Sequence, residues 1–373
     1  MERIKILFFI PNLLHGGAER VLVNLVNHMD RNKYSITVQT MFDVGIYQDK
    51  LADGIRYIGG FPWYFPGNTK VYKLFTPNRL FQRYIKEDYD IIVSYLEGPS
   101  ARVVGGCPAT MNPRLVCWVH GEQDTRSRAT YVFRTGKEAD QCYNRFNRIV
   151  CVSDTVKKDF SKLFPGAVEP IVLYNTVEGD VIREKSEENI SDIKFSKEEI
   201  NLISAAKLQK VKGCDRMIPI IKRLRDEGCP VHMYIVGKGE EQSKLEKLAD
   251  EYGVRDYFTM IGFRDNPYKY MKNADIYVCS SHREGFSTSV TESLIVGTPV
   301  VSTNCSGAYE LLGENNEYGI VTDNSEDSLY DGIRRMTGAY KDYAIKAEER
   351  GKMFDTASTV KAAEDMFEDL LRK

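Results

Sequence analysis

Residues 280–304 read SSHREGFSTSVTESLIVGTPVVSTN. Just ahead of them, Ile276, Tyr277, Val278 and Cys279 form a short apolar run that reads as a buried strand. SVTESLIV reads as the opening turns of a helix, and Gly297-Thr298-Pro299 stops that helix before a second strand, PVVST. The order is therefore strand, Gly-bearing loop, helix, strand. Glu284 and Glu292 flank seven residues, with Gly285 after the first carboxylate and Ser287, Thr288, Ser289 and Thr291 filling the gap. Backbone N–H groups at such a helix start are unpaired and lie at the positive end of the helix dipole, so they can hold an anion. A carboxylate beside an anion site suits a ligand that is both hydroxylated and phosphorylated, as a sugar nucleotide is. Two Glu residues on polar turns are also commonly just solvated, and the rest of the chain has to decide.

The same alternation extends in both directions. Toward the C-terminus, AYELLGENNEYGIVT gives a helix and a last strand, followed by helices near Leu329–Thr337, Lys341–Met353 and Ser358–Leu370. Toward the N-terminus, INLISAA, VHMYIVG and YFTMIG are strands with helices between them, and Ile261 lies near the end of the third. Lys207 and Lys212 fall in the loop after the first of these strands, and Gly213 opens the next helix. Two ammonium groups five positions apart at a strand end can flank one diphosphate. Residues 179–198, EGDVIREKSEENISDIKFSK, are polar and charged with little periodicity, which reads as a linker or surface segment.

Residues 1–178 repeat the alternation. The strand IKILFFI ends at Pro11, and Gly16-Gly17 opens an amphipathic helix with Val21, Leu22, Leu25, Val26 and Met29 on one face. Strand, Gly pair and helix can cradle a phosphate, although a Gly pair can equally be a plain turn, and the three-glycine dinucleotide fingerprint is missing. The aromatic segment FPWYFPGN places Trp63, Tyr64 and Phe65 either against a lipid or sugar acceptor or in loop packing. RLVCWVHG ends a strand at His120-Gly121, where ligands of α/β sheets gather. An imidazole there can donate a hydrogen bond to a sugar hydroxyl or phosphate, or simply pack. Residues 126–148 carry Arg126, Arg128, Arg134, Lys137, Arg145 and Arg148, either a solvated helix face or a basic surface.

Parallel sheets covered on both faces follow from two such halves. At 373 residues there is room for two domains, each with its own core. The eight cysteines are scattered, and no C-x-x-C pair occurs. They read as reduced core residues of a cytoplasmic protein, with neither disulfide framework nor zinc site. No run of 18 apolar residues and no signal-peptide pattern is found. The net charge of −2 divides unevenly, +5 over residues 1–178 and −7 over the remainder. That basic half favours an anionic surface such as the inner membrane leaflet, and its excess is too small to imply nucleic acid.

The string Glu-Gly-Phe, seven residues between carboxylates and then Gly-Thr-Pro-Val-Val resembles the E-x7-E signature of retaining glycosyltransferases, in particular glycosyltransferase family 4. GGAER, WVHG and KLQKVKG match the family's other loops in order, so the resemblance covers nearly the whole chain. It implies an α/β, GT-B architecture: two Rossmann-like doubly wound domains facing across a cleft. Residues 1–178 would form the acceptor domain, 179–198 a linker and 199–340 the nucleotide-sugar domain, with 341–373 as helices returning to the first domain. It implies a metal-independent, retaining hexosyltransferase that uses a nucleotide sugar, most often a UDP-sugar, with no cofactor. The acceptor would be a glycan or lipid-linked sugar in surface polysaccharide assembly, reached by a cytoplasmic enzyme in peripheral contact with the membrane.

Carried over by position, Glu284 would hold the sugar hydroxyls and Glu292 the ribose. Lys207 and Lys212, with the N–H groups near Gly285, Phe286, Ser287 and Thr288, would stabilise the leaving diphosphate. Gly16 and Gly17 would face that diphosphate, Ile261 would border the base through its backbone, and His120 would lie beside the transferred sugar. Lys207 stands where the family commonly has Arg, which keeps the charge and loses the bidentate fork. A sugar-nucleotide epimerase would need acid and base groups on both sides of the sugar, and only His120 is placed for that. A non-catalytic binding protein would have lost cationic or Glu positions, and all of them are present.

Overall fold

The computed structural model describes residues 2–14, 16–64 and 71–372. The chain divides into two compact units, residues 1–177 with 356–373, and residues 178–355. The first carries a parallel seven-stranded sheet: β1 (Ile4–Ile10), β2 (Tyr34–Thr40), β3 (Arg56–Ile58), β4 (Ile91–Ser94), β5 (Arg114–Val119), β6 (Arg148–Cys151) and β7 (Ile171–Val172). Their spatial order is β3-β2-β1-β4-β5-β6-β7. The second carries a parallel six-stranded sheet: β8 (Ile200–Ala205), β9 (Val231–Val236), β10 (Phe258–Gly262), β11 (Ile276–Cys279), β12 (Val300–Thr303) and β13 (Gly319–Thr322). Their order is β10-β9-β8-β11-β12-β13.

Unbroken apolar runs form these strands because helices cover both faces of a parallel sheet, leaving no face to be polar. Ile6 through Ile10 are fully buried, and so are Leu202, Ile203, Ile276 and Val278. In both sheets the winding reverses beside the first strand, between β1 and β4 and between β8 and β11. Loops diverge at such a reversal and open a crevice at the strand C-termini, where ligands of doubly wound sheets bind.

Residues 179–198 are not a free linker. Gly179–Ser186 is a helix in the second unit, packed against the helices Tyr268–Asn273 and Thr288–Ile295, with Ile182 buried. Beyond it, Asp192 accepts from Tyr270 Oη at 2.8 Å and pairs with Arg264 at 2.7 Å. The returning tail is also shorter than expected. The helix Tyr340–Gly351 packs on Thr288–Ile295 in the second unit, and only the helix Thr356–Arg372 belongs to the first. Phe367 of that helix is fully buried, edge-on to Phe8 of β1 with ring centroids 6.0 Å apart.

All eight cysteines are buried free thiols. Among the described residues, no helix is long and apolar enough to cross a membrane.

Candidate functional site

In the second unit, the loops after β8 and β11 flank the reversal of the sheet and are bonded to each other. Ser280 Oγ donates to the Lys212 carbonyl at 3.1 Å, and His282 N–H donates to the Val211 carbonyl at 2.8 Å. Gly213 makes this approach possible. Its backbone is left-handed (φ 61°), and a Cβ there would overlap the Ser280 carbonyl. On its other side the lysine loop lies on the turn after β9, where Gly237 (φ 145°) leaves no room for a Cβ against the Ala206 carbonyl. The loop is thereby fixed from both flanks.

Lys212 points from this loop at Glu284. Its Nζ lies 2.7 Å from Glu284 Oε1 and 2.8 Å from Oε2, and Ser281 Oγ donates to Oε1 at 2.6 Å. Burial works against the Lys212 charge, but the Glu284 carboxylate outweighs it and holds the ammonium pKa above its usual value. Lys207 and Lys210 are exposed on the same loop. Gly285, Phe286 and Ser287 lead into the helix Thr288–Ile295, whose N-cap Ser287 accepts from Val290 N–H. Phe286 is buried against Gly307. Glu292 lies on the second turn and is 3% exposed, which removes it from the class of solvated surface acids.

At β10, pairing with β9 passes from Met260↔Ile235 to Gly262↔Val236, skipping Ile261. Such a bulge releases the skipped residue's backbone from the ladder. Ile261 therefore stands out of register with β9 at the end of this edge strand. Lys207, Lys212, Glu284 to Thr288, Glu292 and Ile261 all lie at the C-terminal end of one sheet. These groups can receive an anionic diphosphate on lysines and helix N–H groups, and hydroxyls on the carboxylates.

Gly16, Gly17 and His120 belong to the first unit. Gly16 caps the helix Gly17–His28, and the Glu19 carboxylate folds back against it. That acid complements the helix dipole itself, which makes the phosphate cradle expected of the Gly pair less free to serve a ligand. His120 follows β5 with its Nε2 buried and, among the described residues, unpartnered, and with its ring 4.9 Å from that of Tyr95. Burial depresses its pKa to about 3, so the ring is neutral near pH 7 and the imidazolium is not available there.

Glu97, in the loop after β4, is a residue that sequence reasoning missed. Its carboxylate accepts from the backbone N–H of His120 at 2.9 Å, from that of Gly121 at 3.1 Å, and from Gln123 Nε2 at 3.2 Å. Burial pushes its pKa up, against the pull of these three donors. A lone Glu in a turn carries no local signal. Only its approach to a loop more than twenty residues away marks it.

Of the aromatic segment, Trp63 and Tyr64 are exposed, and Phe65 lies outside the described residues. The basic stretch is largely consumed by internal partners. Arg126 pairs with Asp140 at 2.5 Å, Arg128 pairs with Asp124, and Arg134 donates to the Lys73 and Leu74 carbonyls. Among the described residues, no group of three or more His, Cys, Asp or Glu lies together in a way that could hold a metal ion.

Comparison with known proteins gives two family matches that together span most of the chain. Residues 15–180 match the model described as Glycosyltransferase Family 4, and residues 185–352 the model described as Glycosyl transferases group 1. Over 206 residues the chain is 32% identical to an N-acetylgalactosamine-N,N'-diacetylbacillosaminyl-diphospho-undecaprenol 4-alpha-N-acetylgalactosaminyltransferase of Campylobacter jejuni. That match takes in 54% of this chain and 53% of the relative, so it spans about half of the relative's length. Among solved structures, HepE of Anabaena, crystallised in complex with UDP, superposes with a TM-score of 0.73 at 18% identity, over 98% of this chain and 100% of that one. Sucrose-phosphate synthase from Thermosynechococcus elongatus gives 0.80 at 14% identity, over 99% and 100%. At these identities the likeness concerns the fold, which is GT-B.

Proposed function

The chain belongs to the group 1, family 4 glycosyltransferases, and from that premise we propose that it is a retaining hexosyltransferase. It takes a hexose-type sugar from a UDP-sugar and transfers it to a hydroxyl of a glycan or lipid-linked acceptor in surface polysaccharide or glycolipid assembly. The observation that carries this reading is the contact of Lys212 with both oxygens of Glu284 between the two loops at the sheet reversal. It sets a diphosphate-binding cation and a hydroxyl-binding carboxylate within one sugar nucleotide's reach. Support for UDP comes from HepE, whose crystals hold it at this fold. Support for a lipid-linked acceptor comes from the Campylobacter relative, whose name specifies one.

In the reaction the bond from the anomeric carbon to the diphosphate oxygen breaks, and negative charge develops on the diphosphate. Lys207, Lys212 and the N–H groups of 286–288 stabilise that charge, a role that a metal ion fills elsewhere, and no cofactor is needed. Glu284 orients the transferred sugar through its hydroxyls, Glu292 holds the ribose and the Ile261 backbone meets the base. The acceptor hydroxyl attacks the anomeric carbon from the face the diphosphate leaves, and its proton passes to the departing phosphate oxygen. The imidazole of His120, neutral near pH 7, serves as a hydrogen-bonding group and not as an acid. The enzyme works on the cytoplasmic side, in peripheral contact with the membrane.

The test is UDP release from purified protein given single UDP-sugars, with and without acceptor. A donor whose hydrolysis or transfer is lost in Lys212→Ala supports the reading, and binding of UDP-sugars with no release from any of them refutes it.

A further inference from the structure

The sheet of the first unit also reverses, between β1 and β4, and a cavity of about 300 Å³ lies among the loops there. Pro11 and Asn12 follow β1, Met41 and Phe42 follow β2, and Glu97 follows β4. Its aromatic lining is Phe42, Tyr64, Tyr72 and Tyr131. Tyr64 and Tyr131 are 55% and 56% exposed, while Phe42 is buried, so the cavity is open on one side.

Among the described residues two charged side chains line this space, and they differ in how they are matched. Arg102 is 1% exposed and pairs with Glu138 at 3.0 Å, while also donating to the carbonyls of Tyr72 and Phe75. Among the described residues its Nε–H is buried with no partner. Glu97 accepts only from neutral donors, two backbone N–H groups and one amide, and among the described residues no cation pairs with it. The arginine charge is thus compensated inside the protein and the glutamate charge is not.

The geometry points to this cavity as a subsite for a neutral pyranose ring of the acceptor, discriminating against anionic sugars through Glu97. The inference rests on the glycosyltransferase reading above and adds the chemistry of the ring bound. Aromatic faces pack against the C–H faces of a pyranose, and the volume suits a single ring with part of a substituent. A hydroxyl or N-acetyl N–H supplies the proton that an uncompensated carboxylate accepts. A sugar carboxylate would instead face Glu97 with like charge in a desolvated site, which is strongly unfavourable. Because Glu97 also holds the His120 and Gly121 N–H groups, the ring bound here is registered directly at the loop that carries His120.

The experiment uses the whole chain with saturating UDP, which fills the nucleotide part of the donor site, and the Tyr131→Ala variant separates sugar bound in this cavity from sugar bound beside UDP. Methyl glycosides of glucose, N-acetylglucosamine, N-acetylgalactosamine and glucuronic acid serve as probes in saturation-transfer NMR at pH 7.5. At least one neutral glycoside should bind saturably, with the glucuronide at least about tenfold weaker. Tyr131→Ala, at an exposed position, should abolish the neutral signal, and Glu97→Gln should narrow the gap between neutral and anionic sugars. Absence of any neutral binding, equal binding of the glucuronide, or indifference to both substitutions overturns the proposal. UDP affinity, measured on the same samples, reports separately on the glycosyltransferase reading.

Discussion

The Lys212 ammonium is held by both oxygens of Glu284, at 2.7 and 2.8 Å, across two loops of different strands. An ammonium has three N–H donors, and this grip spends two of them, leaving one for a phosphate oxygen. Removing Lys212 therefore does two things at once: it deletes a cation and exposes an unmatched carboxylate to the diphosphate.

Lys212→Ala is expected to cost on the order of 2–4 kcal/mol in transition-state stabilisation while the protein stays folded. Combining it with Glu284→Gln should restore part of the lost UDP affinity, because the second change removes the unmatched charge. Additive losses in UDP titrations of the three variants would show that the two side chains do not act together.

Glu292→Gln should mainly weaken UDP binding, since ribose contacts are similar in ground and transition states. Glu284→Gln alone should leave UDP affinity close to normal and lower kcat with the full donor. Calorimetry with UDP and turnover with the donor separate these effects, and the opposite pattern would reverse the two assignments.

Turnover is expected to persist in EDTA, because lysines and helix N–H groups carry the developing charge. Activity lost on chelation and restored by Mn²⁺ or Mg²⁺ would contradict that role.

His120 gives a pH prediction with a definite sign. Its folded pKa, about 3, lies below the ordinary value of 6.5, so the unfolded chain takes up a proton that the folded protein refuses. The stability it supports is present above pH 6.5 and falls away as pH drops toward about 3. Between pH 6.5 and 5 the loss from this one group amounts to about 2 kcal/mol. His120→Asn should flatten denaturation midpoints across that interval. Glu97 acts in the opposite direction, because its folded pKa is raised, so its contribution grows as pH falls toward the carboxylate range. An unchanged slope in His120→Asn would mean that the ring titrates normally.

Both sheets were legible because parallel strands advertise themselves as apolar runs, and the Lys207, Lys212 and Glu284 loops because their glycines and charges lie close together in the chain. What escaped was long-range. Glu97 matters through a loop reached only after the sheet forms. The helix Gly179–Ser186 escaped because one buried Ile182 among charged neighbours leaves little periodicity to read. For Tyr340–Gly351, the pattern predicts a helix and says nothing about which core will receive it. The arginines of 126–148 read as a solvated helix face or a basic surface because their partners, such as the Lys73 and Leu74 carbonyls, are distant in sequence.

Phe367→Ala should destabilise the first unit by about 3–5 kcal/mol, since the ring is fully buried against Phe8. Chemical denaturation should show this loss in the first unit, and an unshifted transition would mean that the last helix is not integral to that core.

The membership of Thr356–Arg372 in the first unit has a consequence for biosynthesis. Translation proceeds from the N-terminus, and domains generally fold as units while it does. The unit begun first nevertheless lacks a piece of its core until residues 356–372 have left the ribosome. The middle unit has all of its residues by then, so the order of completion is the reverse of the order of initiation. During that interval the surface around Phe8 has no covering helix, and a nascent chain stalled in the second unit would present it to chaperones.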